Sequence, residues 1–309
     1  MMKRKVMDSD GVMVSEDLLR FFKERKREDT GSSPQPAAPE TRVEQLRILT
    51  WNPGSICPQS KMVNKLDKIR TLLQEDDIIF LPEASLSTVA ATREKQVQRL
   101  DMANYTFSHS TSGRMAVYVK ASLAATVELP GDEALRGAVA VVKANSGAWA
   151  AVGVYAPNMR VSRAASSTAV DAAGREAFDE ALFGCLAALH NVPTLALVGD
   201  FNLVWESTGG GAHGNLRQRW HDALQNLEGP LDRLDPVTGR VVPTTRHYPR
   251  NGVGRKSPPD ARVDFLFVRN KAAVDDYGRH DRFWRELAWP AEGQAMISEH
   301  TPLWLVLKM

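Results

Sequence analysis

From residue 47 onward, short polar signatures stand at the ends of apolar runs of β-strand length: Trp51-Asn52, Glu83 after IIFLP, Tyr155-Ala156-Pro157-Asn158, Gly199-Asp200-Phe201-Asn202, Arg262-Val263-Asp264 and Ser298-Glu299-His300. Acid, amide, phenol and imidazole groups so far apart in sequence act together only if strand tips meet. The signatures therefore demand a sheet-based fold whose strand ends converge on one site.

The remaining pattern agrees. Apolar runs predict strands over residues 47–51, 78–81, 114–119, 138–143, 149–155, 194–198, 262–268 and 302–307. Helical spacing predicts helices over 61–73, where Met62, Leu66, Ile69 and Leu73 share a face, over 172–190 and over 217–227. Many strands joined by turns with few helices between them point to an α/β chain of two packed mixed sheets flanked by helices, a four-layer sandwich.

Composition divides the chain near residue 45. Residues 1–44 contain GSSPQPAAPET and charge clusters but few large apolar groups, so they are expected to form a disordered tail; residues 45–309 form the folded domain. The net charge of +2 is nearly balanced, so any polyanionic partner must be met by local patches. The two cysteines, Cys57 and Cys185, are too few for a disulfide framework and suit a reducing compartment. No apolar run approaches the ~18 residues of a membrane helix, and an intracellular protein without a membrane partner is expected. The basic clusters Lys3-Arg4-Lys5 and KERKR suit nuclear import. Leu18, Phe21 and Phe22, spaced after Ser15, resemble the peptide that docks on sliding clamps, with Ser15 standing where a Gln is usual.

Taken together, WN, E, YAPN, GDFN, R-V-D and S-E-H resemble the endonuclease/exonuclease/phosphatase superfamily, and the resemblance covers about residues 46–309. It implies a DNase I-like fold and phosphodiester hydrolysis with Mg2+, or alternatively Mn2+. GRMAVYV, YAPN, GDFNLV and PTT…ARVDFLF look closest to the DNA-nicking endonucleases of non-long-terminal-repeat retrotransposons. An abasic-site repair endonuclease and a phosphatase of inositol phosphates or nucleotides are the alternatives.

Each residue has a physical role in that chemistry. Glu83 supplies a hard oxygen for Mg2+, which needs only one or two protein carboxylates, and Asn52 helps hold the metal or Glu83 itself. Asp200 and Asn202 flank Phe201, so on an extended segment both face one side, the acid to take a proton from water and the amide to orient that water or the phosphate oxygen. Asp264 is the expected partner of His300, raising its pKa so that the imidazolium donates to a phosphate oxygen. The Tyr155 phenol is expected to hydrogen-bond a phosphate oxygen or to stabilise the departing oxygen. Two positions depart from the family pattern: Glu299 stands where Asp is usual, which puts its metal-binding role in doubt, and Gly54 occupies a place where many abasic-site enzymes carry an acid. Asn158, Arg160, Arg250, Arg255 and Lys256 are the expected DNA-binding groups, the last three on a basic loop that precedes Asp264.

Overall fold

Alternation of apolar side chains builds the molecule in layers. A computed structural model describes residues 5–7, 13–15, 44–54, 75–158, 171–203, 212–231, 263–280 and 300–309. The chain divides into two compact units, Met1–Arg42 and Val43–Met309. In the first, which composition marks as disordered, strands β1 (Lys5–Met7) and β2 (Met13–Ser15) pair antiparallel. Leu18, Phe21 and Phe22 lie outside the described residues.

The second unit contains β3 (Gln45–Thr50), β4 (Ile78–Pro82), helix α1 (Ala90–Leu100), β5 (Tyr105–His109), β6 (Met115–Lys120), β7 (Ala125–Glu128), β8 (Val139–Ala144) and β9 (Trp149–Tyr155). Helix α2 (Ala172–Ala188), β10 (Thr194–Asp200), α3 (Ala212–Ala223), β11 (Asp264–Arg269), a 3-10 turn (Lys271–Ala273), β12 (Val274–Arg279) and β13 (Leu303–Lys308) follow. Six strands form one sheet in the order β12-β13-β3-β4-β6-β5, and five form the other in the order β11-β10-β9-β8-β7. The pairs β3/β4 and β9/β10 are parallel and the other described pairs antiparallel, so both sheets are mixed. This is the DNase I-like sandwich.

Because successive side chains on a strand point to opposite faces, Ile48, Ile78, Phe80 and Val117 of the six-stranded sheet join the main core with Val141, Val152, Leu197 and Phe265 of the five-stranded one. Their neighbours Leu49, Ile79, Leu81 and Tyr118 form a second cluster with Leu100 of α1. On α2, Phe178, Leu182 and Leu186 make a buried stripe at helical spacing, and the Asp171 carboxylate caps the first turn by accepting from Gly174 N at 2.8 Å. Sheet-to-sheet packing is close at Gly153, where an added Cβ would lie 2.1 Å from Cδ1 of Phe80. Only glycine leaves room for that ring.

Strand direction decides where the polar signatures end up. The parallel strands β3 and β4 finish at the same end of the six-stranded sheet, which delivers Trp51-Asn52 and Glu83 together. Antiparallel β13 begins there, with Leu303 opposite Thr50, and so brings the preceding His300. In the other sheet, Tyr155, Asp200 and Asp264 lie in one row, since Tyr155 pairs with Asp200 and Asp200 with Asp264.

The structure adds elements that apolar runs do not mark: α1 and the strands β5, β7 and β12. The helix expected over 217–227 occurs five residues earlier at its start, as Ala212–Ala223, because its first turn, AHGN, has no apolar period. The helix expected over 61–73 lies outside the described residues.

Candidate active site

The sequence around Asp200 dictates a sharp exit from the strand. Gly199 has φ +138°, and a Cβ there would lie 2.1 Å from the carbonyl oxygen of Val154 on the neighbouring strand. No other residue fits that approach. Beyond it, Asp200 is not followed by extended chain. Asn202 has φ +46°, and its backbone N–H donates to Asp200 Oδ1 at 2.9 Å, closing a turn on the carboxylate. The expectation that Asp200 and Asn202 project side by side from an extended segment is therefore replaced by a left-handed turn at Asn202. There Nδ2 of Asn202 donates to the carbonyl of Ala156 at 2.8 Å, tying this turn to the one after Tyr155.

Asn52 joins the two sheets. Its side chain, 1% exposed, donates from Nδ2 to Asp200 Oδ2 at 2.9 Å and to Glu83 Oε2 at 3.0 Å, while Oδ1 accepts from Gly54 N at 2.8 Å. Its oxygen is thus turned to the backbone, and its nitrogen holds the two carboxylates together. Glu83 sits half-buried at φ +55°, a conformation uncommon for a side-chain-bearing residue. It is held there by Ala84 N donating to Arg114 O and Leu86 N to Gly113 O, both at 3.0 Å.

A second link between the sheets runs through His300, whose Nδ1 lies 2.9 Å from Asp264 Oδ2. The Trp51 indole donates to the His300 carbonyl at 3.1 Å and fixes the backbone that carries the ring. Burial alone lowers the His300 pKa, but the charge and hydrogen bond of Asp264, helped by Asp200 and Glu83, raise it to about 9. Asp200 is pushed up to about 7, first by burial and then by Asp264, against the pull of His300, Asn52 and Asn202. His300 is therefore an imidazolium near neutrality, and Asp200 a carboxyl that changes charge there.

Ligand atoms of Asp200, Asp264 and His300 all lie within 4.8 Å of one another. Three carboxylates, Glu83, Asp200 and Asp264, converge on one imidazolium, an excess of negative charge on hard oxygen donors. That donor set fits a divalent cation such as Mg2+, which the half-buried Glu83 carboxylate would hold while Asp264 pairs with His300. Tyr155 is buried in line with Asp200, and Asn158 is exposed at the start of the following loop. Glu299, Arg160, Arg250, Arg255 and Lys256 lie outside the described residues.

One residue of this neighbourhood escapes the motif reading. Arg175 of α2 donates from Nη1 to Pro157 O at 2.9 Å, from Nη2 to Phe201 O at 3.0 Å and from Nε to Asp179 Oδ1 at 2.9 Å. The signal was available: an Arg and an Asp four residues apart share the stripe of Phe178, Leu182 and Leu186, where charge has no other reason to be.

The fold is widely shared. A 3' phosphatase from Neisseria, solved with a product DNA hairpin, superposes with a TM-score of 0.58 at 19% identity, covering 85% of this chain and 100% of that one. The AP endonuclease of Leishmania major gives 0.64 at 17% identity, covering 91% and 90%. An AP endonuclease from Archaeoglobus fulgidus gives 0.57 at 16% identity, covering 85% and 100%. A search of the curated proteins returns no match. The model of the endonuclease/exonuclease/phosphatase family matches residues 49–290, which span every polar strand tip described above except His300. Sequence match and sandwich topology agree, and the chain belongs to the endonuclease/exonuclease/phosphatase family.

Proposed function

We propose that the protein is a Mg2+-dependent phosphodiesterase that nicks DNA, an endonuclease of the retrotransposon type, with residues 45–309 as its catalytic domain. The observation that carries this reading is the Asn52 amide bonded to Glu83 and Asp200 beside the His300–Asp264 pair. Glu83 would hold the cation, which when bound would neutralise charge on the phosphate and the departing oxygen, leaving Asp200 free to act as the base.

The protein groups do the rest. Water attacks phosphorus in line with the departing oxygen; a P–O bond forms on one side as the P–O bond to the leaving oxygen breaks on the other. Asp200 accepts the proton of the attacking water, and a group titrating at about 7 suits that exchange at neutral pH. His300, kept protonated by Asp264, donates to a non-bridging phosphate oxygen, and the Tyr155 phenol donates to the same phosphate. Asn202 locks the Asp200 turn by its backbone N–H. Asn158, with Arg160, Arg250, Arg255 and Lys256, holds neighbouring phosphates of the strand.

A second reading, cleavage at abasic sites, is favoured by two fold neighbours that are AP endonucleases. Supercoiled plasmid, an abasic duplex oligonucleotide and an inositol phosphate, each incubated with protein and Mg2+, separate the readings. The proposal expects nicked circles from intact plasmid, abolished by EDTA and restored by Mg2+. Cleavage confined to the abasic oligonucleotide establishes the second reading, and phosphate release from the inositol compound alone overturns both.

A further inference from the structure

Arg175 is 1% exposed and its partner Asp179 is fully buried. Taking both charges out of water is costly before their attraction and hydrogen bonds are counted, and a matched apolar pair commonly serves stability as well or better. Stability alone thus gives little reason for this pair. Its geometry gives another. The planar guanidinium directs Nη1 and Nη2 to the carbonyls of Pro157 and Phe201, which belong to the turns after Tyr155 and Asp200. Asp179 holds the fork through Nε. Trp220 lies against its face, with Cζ 5.9 Å from the ring centroid, and the same indole packs edge-on against Phe201. The same turns are linked to each other by Ala156 N donating to Asp200 O at 2.8 Å and by Asn202 Nδ2 donating to Ala156 O.

We propose that Arg175 is a positioning residue for the hydrolytic centre: by bonding Pro157 O and Phe201 O at once, it sets the separation of the Tyr155 turn from the Asp200–Asn202 turn. The inference rests on the phosphodiesterase reading for its kinetic test only. A displacement of the base by about 1 Å costs on the order of 100-fold in turnover.

The test compares the full-length parent with Arg175→Lys and with the double variant Arg175→Met/Asp179→Leu. The single Lys keeps a charge for Asp179 but cannot span both carbonyls. The double variant removes both charges together and so leaves no orphaned ion. The account expects kcat on plasmid DNA to fall about tenfold in the Lys variant and about 100-fold in the double variant. KM should change less than twofold, and the double variant should stay folded with a cooperative melting transition, its Tm lowered by the loss of donors to the two buried carbonyls. Amide hydrogen exchange adds a readout independent of activity: peptides covering 155–158 and 200–203 should exchange faster in the double variant. Parental kcat in either variant, or unchanged exchange in those peptides, overturns the inference. If the parent itself cleaves none of the substrates, the functional proposal falls, while the exchange result still decides the positioning role.

Discussion

Replacing Asn52 by Ala removes the donor that faces both Glu83 Oε2 and Asp200 Oδ2. Asp200 is buried, so no water takes the place of the lost bond without rearrangement. A hydrogen bond to a charged group contributes ~1.5–3 kcal/mol, and each pKa unit corresponds to about 1.4 kcal/mol. Losing the 2.9 Å bond therefore raises the Asp200 pKa by roughly one to two units from its position at about 7. With Asp200 as the proposed base, activity requires the deprotonated carboxyl, so the acid limb of kcat/KM against pH should move upward, to about pH 8–9. The assay is plasmid nicking or cleavage of a labelled duplex at fixed Mg2+ between pH 5.5 and 10, with Tm recorded at each pH. An acid limb at the parent's position in a folded Asn52→Ala protein refutes the reasoning, because either the bond or the role of Asp200 is then wrong.

His300 adds a pH dependence of stability. Its folded pKa of about 9 lies above the unfolded 6.5, so its contribution is complete below pH 6.5 and disappears as pH rises through 9. Two and a half units correspond to ~3 kcal/mol, and the unfolding free energy from urea titrations should fall by about that much more between about pH 6 and 10 in the parent than in His300→Asn; parallel profiles contradict the pairing with Asp264. At the sheet interface, Gly153→Ala drives a methyl into the Phe80 ring and should cost about 1–3 kcal/mol. Adding Phe80→Leu makes room and should recover part of that loss, whereas additive costs in urea titrations exclude the contact as the cause.

Runs buried on both faces, such as IIFLP and WAAVGVY, were legible because short apolar stretches bounded by polar and turn-forming residues suit a central strand. In the Val43–Met309 unit, the three described strands that left no such mark, YTFSH, ATVE and VDDYGR, are all at sheet edges, where one side meets solvent and charge such as Asp275 and Asp276 is tolerated. Helix α1 was hidden for a related reason, since Leu100 is its one buried residue. In the site, motif order announced which side chains gather, and the partner of His300 could be chosen because an imidazole held as a cation needs an acid. The turn at Asn202 could not be read the same way: an Asp two residues before an Asn is compatible with both an extended strand and a capped turn. Only the parallel strand beside Gly199 decides between them. Arg175 shows what motif reading omits, a charge recognisable by its position on an apolar stripe and not by any neighbour in sequence.

In the proposed function, strand tips from two sheets form one hydrolytic centre with Asp200 as its base. Conversion of supercoiled plasmid to nicked circles by purified Asp200→Asn, with Mg2+ and at matched concentration, tests it most directly. The account predicts a rate lower by about 100- to 10,000-fold with the melting transition retained. Nicking at the parent's rate contradicts it.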